Sequence, residues 1–330
     1  MKINDIVDMN TFKLRMENLT EEQKNNLHLL DERVFPDGYK RPNGEMNYNM
    51  TTNVSEGMWL MHKIMDNQVL EIGAQKRFDK DANRNYLKEK MEQDYWVSVG
   101  NSILGSFVEN HINQNLEQYK DQEKIKLIDI GPATGAITTY FALKGLAKHD
   151  LLHKVEVTLV DIVDEVLKQT TDLDFVMPNK EIIKVFGLDY GGLNGEKYLQ
   201  LVKGFNTYCA DAGNLNQSND EIISNQVKNA DIILAGYVHH HMNLHGMKDF
   251  CNDMQNYVKK GGYVGIVDFA VKDFNEYMGW MVPFVKKTGH FPPVESPCTD
   301  AQFTKSLFNE IIFNQETNSK LSYIIGGEKK

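Results

Sequence analysis

Residues 127–139 read LIDIGPATGAITT. A short apolar run carries one acid, Asp129, breaks at Gly131-Pro132, and turns through Ala133-Thr134-Gly135 toward a helix start. Strand, glycine turn and helix in that order form the general nucleotide cradle of doubly wound α/β folds. The acid narrows the choice of ligand. A GxxxxGK[ST] phosphate loop needs a lysine after the glycines, and none follows. A G-x-G-x-x-G dinucleotide loop is met loosely by Gly131, Ala133 and Ala136, and a carboxylate beside a diphosphate is repelled. A ligand that is cationic at this end would gain from Asp129.

Outward from this stretch, short β-branched segments alternate with helical ones from about residue 124. KIKLIDIG, VEVTLVDI, FNTYCADAG, ADIILAGYV and GYVGIVDFA read as strands. That alternation predicts a parallel sheet with helices on both faces. The unbroken apolar character of IILAGYV suits a strand buried on both sides. NEIIFNQE and KLSYIIGGE, linked through Thr317-Asn318-Ser319, predict a terminal hairpin and so one antiparallel strand. Up to about residue 115 the spacing is helical instead, as in Leu27, Leu30 and Val34, or Met58, Met61, Ile64 and Met65. The expected architecture is a seven-stranded, doubly wound, mostly parallel α/β sheet with an antiparallel last strand, preceded by an N-terminal helical domain. Residues 1–115 form the helical region, expected as a substrate lid or dimerisation platform, and residues 116–330 the catalytic domain.

The Asp129-x-Gly131-x-x-x-Gly135 stretch resembles the first motif of class I S-adenosylmethionine-dependent methyltransferases, with Ala133 in place of the middle glycine of [DE]-x-G-x-G-x-G. The resemblance covers roughly residues 124–330 and rests on five motifs in order. Asp161, ending VTLVD, matches the acid that grips both ribose hydroxyls. Asp211 and Ala212 in YCADAG match the acid and amide that read the adenine edge. ILAGYVHHHM is similar to the fourth motif, beside the transferring methyl. KKGGYVGIVDF looks like the usual turn and fifth strand. The resemblance thus implies S-adenosylmethionine as cofactor, held by Asp129, Gly131, Ala133, Gly135, Asp161, Ile162, Asp211, Ala212, Ala235 and Gly236.

Methyl transfer from a sulfonium is an in-line displacement with a neutral leaving group. The enzyme's main task is to align the acceptor, and a base is needed only where the acceptor must lose a proton. His239-His240-His241 follows the fourth strand, and histidine titrates near neutral pH. His240, then His239, are the candidate catalytic residues. His241 and His245, four apart, also fit one helix face. HxxxH without a glutamate or third ligand does not make a zinc site, so no metal is expected. Tyr95, Trp96 and Tyr237 are candidates for the acceptor pocket, or core aromatics.

The chain has 330 residues, 41% hydrophobic and 25% charged, with 46 acids against 36 bases and a net charge of −10. A net acidic surface disfavours nucleic acid, and no [DNS]-PP-[YFW] motif follows the fourth strand. No apolar run reaches membrane-spanning length, and the N-terminus does not read as a signal peptide. Cys209, Cys251 and Cys298 are widely spaced and read as reduced, buried thiols of a cytoplasmic protein. A small-molecule or peptide methyltransferase is the leading expectation, compatible with a homodimer and without nucleic-acid or membrane partners. An NAD-dependent oxidoreductase and a non-catalytic binding subunit of the same fold are the alternatives. The former expects its ribose acid about 20 residues after the glycines, whereas Asp161 stands 30 after Gly131.

Overall fold

The computed structural model describes residues 96–132, 135–161, 164–171, 193–210, 227–239, 244–270, 301–319 and 322–330. Its strands are β1 (Ile125–Ile130), β2 (Val155–Asp161), β3 (Asn206–Cys209), β4 (Ala230–Gly236), β5 (Val258–Phe269), β6 (Ile311–Ser319) and β7 (Ser322–Lys329). They form one sheet in the order β3-β2-β1-β4-β5-β7-β6. The first five are mutually parallel, and β7 runs antiparallel between β5 and β6.

Why the central strands read as unbroken apolar runs is now visible. Side chains alternate across a strand, and both faces here are covered. Leu127, Ile232 and Leu234 enter one core; Ile128, Ile130, Ile233 and Ala235 enter the other. Each leucine or isoleucine among them contributes about 1.5–3 kcal/mol on burial. The first face lies under α1 (Trp96–Gln114), α2 (Leu116–Asp121), α3 (Ile137–Ala147), α4 (Asp164–Thr171) and α5 (Gly195–Val202), and the second under α6 (Leu244–Tyr257) and α7 (Ala301–Ser306).

α1 belongs to the stretch assigned from sequence to the N-terminal region, and it packs on the sheet. Leu104, Val108 and Ile112 join the first core. A Cβ on Gly105 would lie 2.7 Å from the Phe141 carbonyl, and one on Gly145 3.1 Å from Glu109 Cα. The two glycines therefore permit the close approach of α1 and α3. Residues 1–95 lie outside the described residues.

The Gly-Gly segment read as a turn before the fifth strand is a bulge within β5: Ala230 pairs with Val258, but Ile232 pairs with Tyr263. Likewise β6 continues through Thr317-Asn318-Ser319, so the hairpin turn falls after the expected link. Cys251 is buried as expected; Cys209 is exposed, because β3 is an edge strand with few neighbours. No helix among the described residues is long and apolar enough to cross a membrane.

At the amino ends of the strands sits a buried polar cluster. His111, 2% exposed, places Nδ1 2.8 Å from Glu328 Oε1 and Nε2 2.9 Å from the Tyr119 hydroxyl. Its ring stacks on Tyr263 at 4.8 Å. The Tyr263 hydroxyl donates to Gln315 Oε1 at 2.6 Å. Burial lowers the His111 pKa, against the opposing pull of Glu328. A neutral ring satisfies both neighbours, Nδ1–H donating to the carboxylate and Nε2 accepting from the hydroxyl.

Candidate cofactor site at the carboxyl ends of the strands

β1 lies between β2 and β4, and the chain leaves these strands toward opposite faces, with α3 on one and α6 on the other. Such a switch point opens a crevice at the carboxyl ends of the strands.

Gly131 follows β1 with φ +66°, and its N–H donates to the Val160 carbonyl at 2.7 Å. A Cβ there would lie 2.5 Å from Val238 Cγ2. Glycine is thus required twice, by the left-handed backbone and by the segment after β4 packed upon it. Ala133 lies outside the described residues. Gly135, φ +92°, donates its N–H to Thr170 Oγ1 on α4 at 3.1 Å. The carbonyls of Gly135 and Ala136 accept from the Tyr198 hydroxyl on α5 at 3.0 and 2.9 Å. Burial, aided by the nearby Asp129 charge, holds the Tyr198 pKa well above its ordinary value, so the hydroxyl keeps its donating proton. Ala136 itself is left-handed at φ +44°, which costs an L-residue about 1–2 kcal/mol. Contacts from α4 and α5 hold the turn in that shape.

Asp129 is 0% exposed. Its Oδ2 accepts from the Thr139 N–H at 3.1 Å and the Thr139 hydroxyl at 2.6 Å. A carboxylate at the first turn of a helix is favourable, and here it ties the end of β1 to α3. Asp161 closes β2, half-buried, and its carbonyl accepts from the Ala210 N–H at 2.9 Å. Ile162, Asp211 and Ala212 lie outside the described residues.

At the end of β4, Ala235 is buried and Gly236 half-buried. A Cβ on Gly236 would lie 2.3 Å from Thr138 Oγ1 and 3.0 Å from Asn101 Oδ1. The Thr138 hydroxyl donates to Asn101 Oδ1 at 2.9 Å. The start of α1 therefore roofs the end of β4. Trp96 opens that helix; its side chain, and Tyr95 altogether, lie outside the described residues. Tyr237 has φ +59°, donates its N–H to the Val267 carbonyl at 2.7 Å, packs on Phe269, and sets its hydroxyl 2.7 Å from Ser322 Oγ. His239 is 1% exposed. Its Nδ1 lies 3.4 Å from the Tyr323 hydroxyl, its Nε2 3.9 Å from Cys251 Sγ, and its ring meets Phe250 edge-on. His240 lies outside the described residues.

Asp129, Gly131, Gly135, Asp161, Ala235, Gly236 and Tyr237 thus gather at the carboxyl ends of β1, β2 and β4. Strand order, antiparallel β7 and the glycine turn after β1 decide the fold. It is the class I methyltransferase fold. Among the described residues no group of three or more His, Cys, Asp or Glu is placed to hold a metal ion.

No protein-family model and no curated protein matches the chain. Solved structures with this methyltransferase fold do. An O-methyltransferase family protein from Burkholderia thailandensis is 11% identical, with 84% of this chain and 72% of that one covered at a TM-score of 0.48. The CurJ carbon methyltransferase is 12% identical over 85% of this chain and 80% of that one, TM-score 0.45. The N-methyltransferase NodS from Bradyrhizobium japonicum WM9, in complex with S-adenosyl-L-homocysteine, is 11% identical over 76% and 99%, TM-score 0.40. Likenesses of this degree say nothing of substrate.

Sequence reasoning missed the residues that brace the turn. Thr139 carried a signal: a hydroxyl in the first turn of a helix that faces a strand-end acid. Thr170, Tyr198 and Asn101 carried none, being single polar residues in ordinary helical segments.

Proposed function

We propose that the chain is an S-adenosylmethionine-dependent methyltransferase that methylates a small-molecule or peptide acceptor by in-line transfer. One observation carries this reading: acids stand at the penultimate residue of β1 and the last residue of the adjacent β2, beside a left-handed glycine turn at the switch point of the sheet. The residues fit the cofactor. Carboxylates are acceptors, suited to ribose hydroxyls and an ammonium group. Gly131 and Gly135 present bare backbone where a ligand must come close.

The cofactor supplies a methyl on a sulfonium, which leaves as a neutral thioether. The chain's own residues do the rest. Asp161 accepts from the ribose hydroxyls, and Asp211 and Ala212 contact the adenine. Gly131, Ala133 and Gly135 line the amino-acid arm, with the Asp129 charge set behind them. Tyr95, Trp96 and Tyr237 hold the acceptor in line. His240 takes the acceptor proton where there is one to lose, while His239 anchors the segment after β4 to the core.

Calorimetric titration with S-adenosylhomocysteine tests the reading. The wild type binds, and Asp161→Ala weakens binding by about 1–3 kcal/mol, the scale for an unpaired polar group. Absence of wild-type binding at millimolar ligand would overturn the proposal. An unchanged Asp161→Ala affinity would remove the ribose assignment.

A further inference from the structure

The turn after β1 is braced by the connection between β2 and β3. Gly135 gives its N–H to Thr170 Oγ1 at 3.1 Å, and its carbonyl accepts from the Tyr198 hydroxyl at 3.0 Å. The same hydroxyl reaches the Ala136 carbonyl at 2.9 Å, which also accepts the Tyr140 N–H that starts α3. Tyr198 is 1% exposed and fixed in place. Asn194 caps α5 by accepting from the Lys197 N–H at 2.9 Å, and Leu199 and Val202 are buried beside Tyr198 on that helix. The Tyr198 ring meets Tyr140 and Phe205 edge-on, at 5.1 and 6.2 Å. Ala136, by contrast, sits at φ +44°, a form an L-residue keeps only where its surroundings hold it.

We infer that Tyr198 is a positioning residue that sets cofactor affinity through Ala136, with Thr170 as its counterpart on the N–H side of the turn. Its hydroxyl holds Ala136 left-handed and so fixes where the glycine turn meets the ligand. This rests on the methyltransferase reading above. A turn with glycine at 131 and 135 has many backbone conformations open to it. Ordering it only when the ligand arrives would cost affinity, and bracing it beforehand removes that cost. The brace is buried and its polar atoms are matched: one hydroxyl on two carbonyls, one N–H on one hydroxyl. A tyrosine is suited to the task, because its ring packs in the core while its single donor reaches the backbone.

The test is calorimetric titration of the full chain with S-adenosylhomocysteine. Tyr198→Phe keeps the ring and deletes the hydroxyl. It is expected to weaken binding about tenfold, the size of one buried hydrogen bond lost. Adding Ala136→Gly removes the penalty of the left-handed form, so the double variant is expected to bind within about threefold of the wild type. Thr170→Val keeps the side-chain shape and removes the acceptor of the Gly135 N–H. It is expected to weaken binding by a similar factor, and it carries the test if Tyr198→Phe does not fold. An unchanged affinity in Tyr198→Phe, with only thermal stability lowered, would make Tyr198 a packing residue and overturn the inference. A loss that Ala136→Gly does not restore would overturn it too, since the hydroxyl would then act otherwise than on the turn. Where Tyr198→Phe does not fold, an unchanged Thr170→Val affinity overturns it. If Asp161→Ala weakens binding while the Tyr198 and Thr170 variants do not, the cofactor reading stands and this one falls. If the wild type does not bind, the cofactor reading fails and takes this inference with it.

Discussion

At the amino ends of the strands His111 uses both ring nitrogens, on Glu328 and Tyr119. At the carboxyl ends the Asn101 side-chain oxygen accepts from Thr138. Both side chains come from α1, both are about 2% exposed, and they lie under three turns apart on one helix. The difference lies in what surrounds them. At the amino end Tyr263 stacks on the His111 ring and Tyr119 meets it edge-on. The carboxyl end is built around backbone in left-handed conformations at Gly131, Gly135, Ala136 and Tyr237, and at the two non-glycines this is strain that persists only when neighbours over-determine it. One end pairs its polar atoms, and the other is shaped around left-handed backbone.

Two left-handed glycines break this comparison most sharply. Gly131→Ala adds the left-handed penalty of about 1–2 kcal/mol to an overpacking cost of about 1–3 kcal/mol against Val238. Urea unfolding should show both, with cofactor affinity lost as well. Gly261, φ +71° in the β5 bulge, has open space where a Cβ would stand, with no atom within 4 Å. Gly261→Ala should therefore lose the left-handed part alone and keep cofactor affinity. Equal losses at the two sites would mean that packing by Val238 does not matter.

His111→Phe keeps the stack on Tyr263 and deletes both hydrogen bonds. It should cost about 2–3 kcal/mol of stability, as for buried partners left unmatched, with S-adenosylhomocysteine affinity unchanged. A parallel loss of affinity would show the two ends of α1 to be coupled.

The same histidine sets a pH slope. Its folded pKa lies below the ordinary 6.5, so the unfolded chain binds the proton more readily. The His111 contribution is complete above pH 6.5 and declines as the pH falls from there toward the lowered folded value. His111→Phe should flatten that part of the stability curve, and a slope identical to the wild type would exclude His111 as its source. Smallest of all, Lys120→Ala removes the exposed pair with Glu117 and should change stability by under about 0.5 kcal/mol.

The strands were legible because burial on both faces leaves a mark along the chain. Leu127 to Ile130 and Ile232 to Ala235 show it as unbroken apolar runs. Asp129 was legible as an anomaly in such a run, and its acid beside the turn pointed to a ligand with a cationic end. What its carboxylate does in the fold was not legible: the bonds to Thr139 depend on α3 folding back over β1. The histidine run was legible as a cluster without direction. In the fold His239 is turned toward Tyr323 and Cys251, and the left-handed Tyr237 that precedes it had no sequence signal.

Sequence by itself determined the order of the described strands and helices and the acids at the first strand ends, since each follows from residues near one another in the chain. Tertiary structure decided which side chains close the site. Asn101 meets Thr138 and Gly236 across 37 and 135 positions of chain. Only the docking of α1 against α3 and the sheet, made close by glycines on both helices, brings them together.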